Sequence, residues 1–249
     1  MNEMEYKEFY DKVGKINGWN FSKLKCTSEG VKWDFYEQVL NQCKHSDVLL
    51  DIGTGGGENV INIASSLNFL VGVDISSGMI ETAQTNLKKS DVSNVRFCQV
   101  SSADLQFPDE FFDIVSCCHA PFDSKEVSKV LKKGGTFLTQ QVSEEDKLNL
   151  KQAFGRGQSL KEKDGMLKAQ YMKELQEAGF SDVKAYDYNA NNYYHRTEDL
   201  LFLLMHTPII PNFGKRHHDM EIVKKFIEEN RTKKGIRTNS KRFMIIAKK

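Results

Sequence analysis

The fold is decided by residues 49–58, which read LLDIGTGGGE and join a short apolar strand to a turn dense in glycine. The turn leads into a helical pattern that starts at Asn59 and continues with VINIA. This is the layout of a nucleotide-binding loop on an open α/β sheet, where ligands sit beyond the carboxyl ends of the strands. Glycine accepts positive φ and lets a ligand approach the main chain closely. The stretch therefore predicts a ligand site at the end of a sheet strand.

The spacing of the glycines narrows the class of ligand. Gly53, Gly55 and Gly57 form Gly-x-Gly-x-Gly, and Asp51 lies two residues before the first glycine. A dinucleotide-binding loop reads Gly-x-Gly-x-x-Gly, and a phosphate-gripping loop ends in Gly-Lys-Ser/Thr, so neither is present. An acid at the strand end suits a cationic ligand better than a phosphate.

Composition excludes several classes of protein. A chain of 249 residues is long enough for one α/β domain with a lid, or for two small domains. Lys+Arg 35 against Asp+Glu 34 gives no bulk attraction to nucleic acid or to an anionic membrane. No apolar run approaches the roughly 18–20 residues of a membrane span, and no signal peptide is apparent, so we expect a cytoplasmic protein. The cysteines number 5 without a Cys-x-x-Cys motif, which predicts reduced thiols and no metal site.

Strand and helix patterns alternate along the middle of the chain. Predicted strands cover residues 48–51, 69–74, 95–100, 112–117 and 136–142, with two further strands at 181–188 and 243–247. Predicted helices cover residues 77–89, 124–131 and 167–178. Ser76 or Ser77 would cap the first of them, and Gly134-Gly135 would cap the end of the second. The alternation predicts right-handed crossovers and a parallel, buried sheet.

Two regions flank this pattern. Residues 1–45 precede the first sheet strand and are predicted to form a helical cover, while residues 46–249 form the main domain. An insertion at about 189–241 precedes the last strand and contains predicted helices at 197–205 and 219–229. Insertions of this length inside a sheet are usually functional, and we interpret this one as a lid. Its basic residues between 231 and 242 we interpret as solvated surface.

Four motifs occur in a specific order: residues 49–58, VGVD at 71–74, FPDEFFDIV at 107–115 and VLKKGGTF at 130–137. Together they resemble class I S-adenosylmethionine (SAM)-dependent methyltransferases. The finer pattern is similar to the bacterial group of ubiquinone/menaquinone C-methyltransferases (methyltransferase domain 11/25). The resemblance implies a Rossmann-like sheet of seven mostly parallel strands, with helices on both faces and an antiparallel last strand. It also implies SAM as cofactor, S-adenosylhomocysteine (SAH) as product and methyl transfer by direct displacement, but no particular acceptor.

The resemblance assigns roles to the loops that follow the strands. Asp51 would lie near the amino group of the methionine part of SAM, and the loop glycines with Thr54 would let the backbone approach the cofactor's amino-acid end and sulfonium. Asp74 would accept hydrogen bonds from the ribose hydroxyls, as an acid does in dinucleotide folds. In this group an acid commonly meets adenine after the third strand, but here Ser101 occupies that position. The predicted cofactor contacts are Asp51, Gly53, Thr54, Gly55, Gly57, Asp74, Ile75, Met79, Ser101, Ser102, Ala103, Cys118 and His119.

The acceptor would lie beyond the fourth strand, where His119 follows two cysteines. His119 is the candidate catalytic residue: as a general base it would contribute about 10²–10⁴-fold, and it could equally hydrogen-bond the cofactor or the main chain. Aromatic residues of the cover and the insertion either line an acceptor pocket or only pack the lid. The candidate pocket residues are Trp19, Trp33, Tyr193, Tyr194 and His195.

Three functions remain open at this point. The leading hypothesis is methylation of a small molecule. An RNA or protein methyltransferase is less favoured, because the net charge is near zero and no Asn-Pro-Pro-Tyr-type sequence follows the fourth strand. The third possibility is a SAM-binding protein without turnover. The oligomeric state is not predictable from these patterns.

Overall fold

The computed structural model describes Glu8, Asp11 and residues 24–249. Strands within this part of the chain form one 9-stranded sheet in the order β1-β7-β9-β6-β5-β2-β3-β4, with β8 paired to β9. The strands are β1 (Cys26–Glu29), β2 (Val48–Ile52), β3 (Phe69–Asp74), β4 (Val95–Gln99), β5 (Phe112–Cys118), β6 (Leu131–Val142), β7 (Asp182–Tyr194), β8 (Arg231–Thr232) and β9 (Gly235–Lys248).

Strands β2 to β6 pair in parallel, whereas β9 is antiparallel to both β6 and β7. The run from β4 to β7 thus contains the predicted parallel sheet with its antiparallel last strand. The predicted count of seven strands is too low by the two strands β1 and β8, which have 4 and 2 residues. Both are exposed and polar, so they carry no apolar alternation for a sequence pattern to detect.

Helices cover both faces of the sheet, as predicted. One face is packed by α4 and α6 around Phe137 and Phe243, and the other by α1, α2 and α3 around Leu49 and Leu138. The helices are α1 (Phe35–Leu40), α2 (Glu58–Ile63), α3 (Ser77–Lys88), α4 (Ser124–Val130), α5 (Leu148–Phe154), α6 (Met166–Glu177), α7 (Thr197–His206) and α8 (Asp219–Asn230). Ser76 caps α3 by accepting a hydrogen bond from the N–H of Met79, at 3.1 Å.

The predicted glycine cap of α4 is wrong. The helix ends at Val130, and Leu131 already has extended backbone as the first residue of β6. Gly135 lies inside β6, beside a shift in the register between β5 and β6. A Cβ there would lie 2.8 Å from the carbonyl oxygen of Asp113 on β5. The glycine therefore permits close pairing of two strands and does not end the helix.

The two long strands in the C-terminal part of the chain, β7 and β9, are longer than predicted. β7 has 13 residues and β9 has 14, and their outer parts are paired from Asn189–Lys241 to Tyr194–Ile236. These outer parts are rich in asparagine, lysine and arginine, which a sequence pattern assigns to a loop. The proposed insertion thus consists of two strand extensions with α7, α8 and β8 between them.

A third hydrophobic core lies over these extensions, built from residues of α5, α7 and α8 such as Leu150, Leu204 and Phe226. We call α5, α7, α8 and the outer parts of β7 and β9 the lid. The described part of the predicted N-terminal cover, residues 24–45, contains strand β1 as well as helix α1, so it is only partly helical. Among the residues described, no helix is long and apolar enough to cross a membrane.

Candidate functional site

The glycine loop joins β2 to α2 and lies at the carboxyl ends of the parallel strands. Gly53, Gly55 and Gly57 have φ values of 72°, 57° and 74°, in the left-handed region that favours glycine. The N–H groups of Gly53 and Thr54 donate to the carbonyl of Val73, at 2.8 and 3.0 Å, which ties the loop to β3. A Cβ on Gly57 would lie 2.5 Å from the ring of Phe97. Backbone conformation and packing together require glycine at position 57.

Asp51 lies beneath this loop and is 0% exposed. Its Oδ1 accepts a hydrogen bond from the hydroxyl of Ser116 at 2.6 Å, while Oδ2 has no hydrogen-bond partner among the described residues. Burial raises the pKa of Asp51 to about 7; the nearby hydroxyls of Ser116 and Thr54 oppose this shift, and the charge of Asp74 adds to it. A buried carboxylate oxygen without a donor costs free energy until a donor reaches it. This oxygen fits the ammonium group of a bound methionine moiety.

Asp74, at the end of β3, is linked to the glycine loop. Its carboxylate accepts hydrogen bonds from the N–H of Gly55 at 3.0 Å and from the N–H of Ser76 at 2.9 Å. The hydroxyl of Ser76 in turn donates to Asp11 at 2.7 Å. Burial raises the pKa of Asp74, the two main-chain bonds oppose the shift, and the charge of Asp11 adds to it. The carboxylate is therefore held in a fixed position beside the loop.

The third loop of this edge follows β4. The N–H of Val100 donates to the carbonyl of Asp74 at 3.1 Å, which places residues 101–103 directly beside the end of β3. The hydroxyl of Ser101 accepts a bond from the N–H of Ala103 at 3.2 Å, so it shapes the turn. Asp104 is exposed and binds Gln106. Ile75 is half-buried at this edge, whereas Met79 is 2% exposed within the helical layer.

We call this set the cofactor edge: residues 51–57, 74–75 and 101–103, at the carboxyl ends of β2, β3 and β4. The structure brings these predicted cofactor residues together, although they are far apart in sequence. Cys118 and His119 lie one strand further along, at the end of β5. Burial raises the pKa of Cys118 to about 12, so its thiol stays protonated at neutral pH.

His119 is fixed by Gln140 on the neighbouring strand. Its N–H donates to the carbonyl of Gln140 at 2.8 Å, and its ring Nε2 lies 3.1 Å from the side-chain nitrogen of Gln140. Trp33 donates its indole N–H to Oε1 of Gln140 at 2.7 Å. Because an indole N–H can only donate, Oε1 must face Trp33 and the amide NH₂ must face His119. Nε2 of His119 is therefore an acceptor, and the ring proton lies on Nδ1.

The charge state of His119 agrees with this assignment. Burial lowers the pKa of His119 to about 3; the charges of Arg242 and Lys147 lower it further, and Asp146 opposes them. The imidazole is therefore neutral at pH 7 and its only acceptor nitrogen is occupied. No described residue accepts a hydrogen bond from Nδ1. This geometry suits a hydrogen-bond donor and leaves no free nitrogen for a general base.

Around His119 lies a buried polar layer between the main sheet and the lid, which we call the seam. Trp33 packs edge-on against Tyr188, with ring centroids 4.6 Å apart, and Tyr188 pairs with Arg242 across β7 and β9. Asp146 accepts a hydrogen bond from Arg242. The seam residues are Trp33, His119, Gln140, Asp146, Lys147, Tyr188, Asn192 and Arg242.

Most residues of the seam carry no pattern that predicts a site. The interpretation of residues 231–242 as solvated surface is wrong at Arg242, whose side chain is 15% exposed. Its place beside the apolar run Phe243–Ala247 is the signal that could have indicated a buried strand position. The other predicted pocket residues lie elsewhere. Tyr194 is in the lid core, and the Nζ atom of Lys234 lies over the ring of Tyr193, 5.4 Å from its centroid. His195 is exposed and hydrogen-bonded to Thr27, and Trp19 lies outside the described residues.

The strand order, the glycine loop, the buried Asp51 and the half-buried Asp74 define the class as the class I SAM-dependent methyltransferases. Residues 44–197 match the family described as a methyltransferase domain, which is more than half of the chain. The protein therefore belongs to this methyltransferase family. Over residues 24–249, the structure shows no group of three or more acidic, histidine or cysteine side chains that could hold a metal ion.

Similar proteins agree with this class. An uncharacterized methyltransferase of Bacillus subtilis, YcgJ, is 35% identical over 104 residues, which are 39% of this chain and 41% of that protein. A demethylmenaquinone methyltransferase of Symbiobacterium thermophilum is 27% identical over 155 residues, 57% of this chain and 60% of that protein. The chain thus spans about half the length of the curated relatives it matches. The crystal structure of YcgJ shares the fold with a TM-score of 0.63 at 22% identity, covering 86% of this chain and 97% of YcgJ.

Proposed function

We propose that this protein transfers a methyl group from SAM to a small-molecule acceptor bound in the seam. The observation that carries the proposal is the buried Oδ2 of Asp51, which lacks a donor and lies beneath a glycine loop tied to Asp74. In this proposal Asp51 and the main chain of the loop hold the methionine end, and Asp74 holds the ribose. Ile75 and residues 101–103 border the adenine. SAM, when bound, supplies an electrophilic methyl group on a sulfonium.

The chain's own residues would act by orienting the acceptor and the methyl group of SAM. Holding two reactants in line can contribute roughly 7–11 kcal/mol in favourable cases, without a strong acid or base. Burial keeps the thiols of Cys117 and Cys118 protonated by raising their pKa values, so neither is a ready nucleophile. His119 would donate from Nδ1 to an acceptor oxygen and so fix its position. The lid helices would limit the access of water to the seam.

Two alternatives are less well supported. A net charge of +1 offers little attraction to RNA phosphates. A SAM-binding protein without turnover would share the cofactor edge. It would differ in that no acceptor would be methylated and no SAH would be formed from SAM.

The first test is a calorimetric titration of the purified protein with SAM and, separately, with SAH. We expect micromolar binding of both ligands. Incubation with SAM and candidate small-molecule acceptors should then release SAH, which mass spectrometry detects. If neither ligand binds, the proposed function is wrong. Binding without SAH release from any acceptor class would favour the protein without turnover.

A further inference from the structure

The seam contains more buried positive than negative charge. Lys147 and Asp146 have side chains 4% exposed, and Arg242 is 15% exposed. Asp146 accepts a hydrogen bond from Arg242, and its Oδ1 lies 3.9 Å from Nζ of Lys147. Burial lowers the pKa of Lys147 to about 8, so its amine is still mostly protonated at pH 7 and one carboxylate faces two cations. A purely structural ion pair would balance its charges, because an uncompensated buried charge is strongly destabilising.

The other acids of this region are already engaged. Glu144 is buried, and its two oxygens accept main-chain bonds from Gly165 and Leu167 at 2.9 and 2.6 Å. Lys151, which is 2% exposed, is stabilised by the charges of Asp146 and Glu144, so it shares Asp146 with the two cations of the seam. The remaining acids bind outside the seam: Glu145 and Asp164 bind Lys241, and Asp34 is exposed and caps α1. None of these carboxylates compensates the second cation of the seam.

The donors of the seam are also incompletely used. Lys147 donates only to neutral oxygens, the side chain of Asn192 at 3.1 Å and the carbonyl of Asn239 at 2.8 Å. Nε and Nη2 of Arg242 and Nδ1 of His119 have no hydrogen-bond partner among the residues described. Lys147 also has φ 51°, a conformation uncommon for a residue other than glycine. Such strain is typical of functional positions.

We infer that the seam recognises an aromatic acceptor that carries an anionic oxygen, held by Lys147, Arg242 and Nδ1 of His119. Trp33 and Tyr188, which are in edge-to-face contact with each other, supply the aromatic surface against which its ring would pack. The bound anion compensates the second cation and takes up the unused donors. An oxygen that arrives ionised also needs no general base, which agrees with the occupied Nε2 of His119. The inference rests on the proposed function, since it names the acceptor of that reaction.

The test compares benzoate with benzamide, which has the same ring and no charge, in the presence of saturating SAH. The chain has 2 tryptophans, so Trp19→Phe leaves Trp33 as the only fluorescent indole, and it lies in the seam. We expect benzoate to change the emission of Trp33 and to bind at least tenfold more tightly than benzamide. Calorimetry on the unaltered chain gives the same two affinities if Trp19→Phe does not fold.

Benzoate binding to three variants tests which side chains hold the anion. Lys147→Met keeps the pair between Asp146 and Arg242 and should reduce the preference for benzoate to less than threefold. Arg242→Lys keeps the charge but loses the free Nε and Nη2 donors, and should weaken benzoate severalfold. Lys132→Met removes the same charge from a pair with Asp113 beside the start of β6 and should leave the preference unchanged.

Three outcomes decide the inference. Equal affinity for benzoate and benzamide, or a preference that Lys147→Met does not reduce, overturns it. If SAH binds in that case, the proposed cofactor function survives. If SAH does not bind but a preference for benzoate depends on Lys147, the anion site is supported and the proposed methyl transfer fails. Circular dichroism and SAH affinity confirm that each variant is folded.

Discussion

The cofactor edge and the seam lie side by side at the carboxyl end of the sheet, but they are built differently. The cofactor edge consists of three loops whose bonds are mostly made by main-chain N–H groups, such as those from Gly55 and Ser76 to Asp74. The seam consists of side chains from separate segments, such as Trp33, Gln140 and Arg242, and several of their donors are unused. A site that binds a cofactor can be fixed by its own backbone. A site that binds a variable acceptor is fixed by side chains, and the ligand completes it.

The largest effect should come from a substitution in the backbone of the cofactor edge. Gly57→Ala introduces a Cβ at φ 74°, 2.5 Å from the ring of Phe97. Left-handed backbone costs about 1–2 kcal/mol and overpacking about 1–3 kcal/mol, so we expect the free energy of unfolding to fall by roughly 2–5 kcal/mol. Urea denaturation measures this change.

Gly134→Ala is the matched control. Its φ is 75°, and no atom lies within 4 Å of the added Cβ. Only the backbone term of about 1–2 kcal/mol should remain. Equal losses in the two variants would show that Phe97 is not what requires glycine at position 57.

The next largest effect should be a loss of SAH affinity when Asp74 of the cofactor edge is replaced. Asp74→Ala removes a charged acceptor, and we expect SAH to bind roughly 100-fold more weakly, which is about 2.7 kcal/mol. Asp104→Ala removes an exposed acid from the loop after β4 and should change the affinity by less than about threefold. Calorimetry gives both values. Unchanged affinity in Asp74→Ala would sink the ribose assignment.

Asp51 connects the two regions, because it is buried under the glycine loop and bound to β5 through Ser116. Its pKa is about 7 in the folded chain, against about 3.9 in an unfolded one. The folded state therefore keeps a proton that the unfolded state loses. Its contribution to stability is complete below pH of about 3.9 and is lost as the pH rises to about 7, at about 1.4 kcal/mol per pH unit.

Asp51→Asn cannot titrate, so it should avoid this loss. Relative to the parent chain, we expect the variant to gain about 2–3 kcal/mol in unfolding free energy between pH 5 and pH 8. His119, whose pKa is lowered, loses its contribution as the pH falls below about 6.5, but it does so in both proteins and cancels. Urea denaturation at the two pH values measures the difference, and Asp104→Asn is the control. A difference independent of pH would contradict the raised pKa of Asp51.

The contrast between the cofactor edge and the seam also explains which parts of the structure could be predicted from the sequence. The parallel sheet, its antiparallel last strand and the cofactor edge follow from local patterns, since Asp51, Asp74 and Ser101 each lie at or just after the end of a short strand. The seam does not follow from such patterns. By sequence Lys147 is typical of a surface residue, and Arg242 is marked only by its place before an apolar run. The pairing of β7 with β9 and the turn after β6 bring both to His119. The polar extensions of β7 and β9 were assigned to a loop for the same reason.

The smallest effect tests how the seam fixes the tautomer of His119. Trp33→Phe removes the N–H that orients the amide of Gln140, at a cost of about 1 kcal/mol for a lost hydrogen bond. The amide is then able to rotate and present either atom to His119. Long-range ¹⁵N–¹H NMR of the imidazole should show Nδ1–H in the parent chain and a mixture of tautomers in Trp33→Phe. Tyr188→Phe keeps the bond from Trp33 to Gln140 and should retain the parental spectrum, whereas Nε2–H in the parent chain would contradict the donor role of His119.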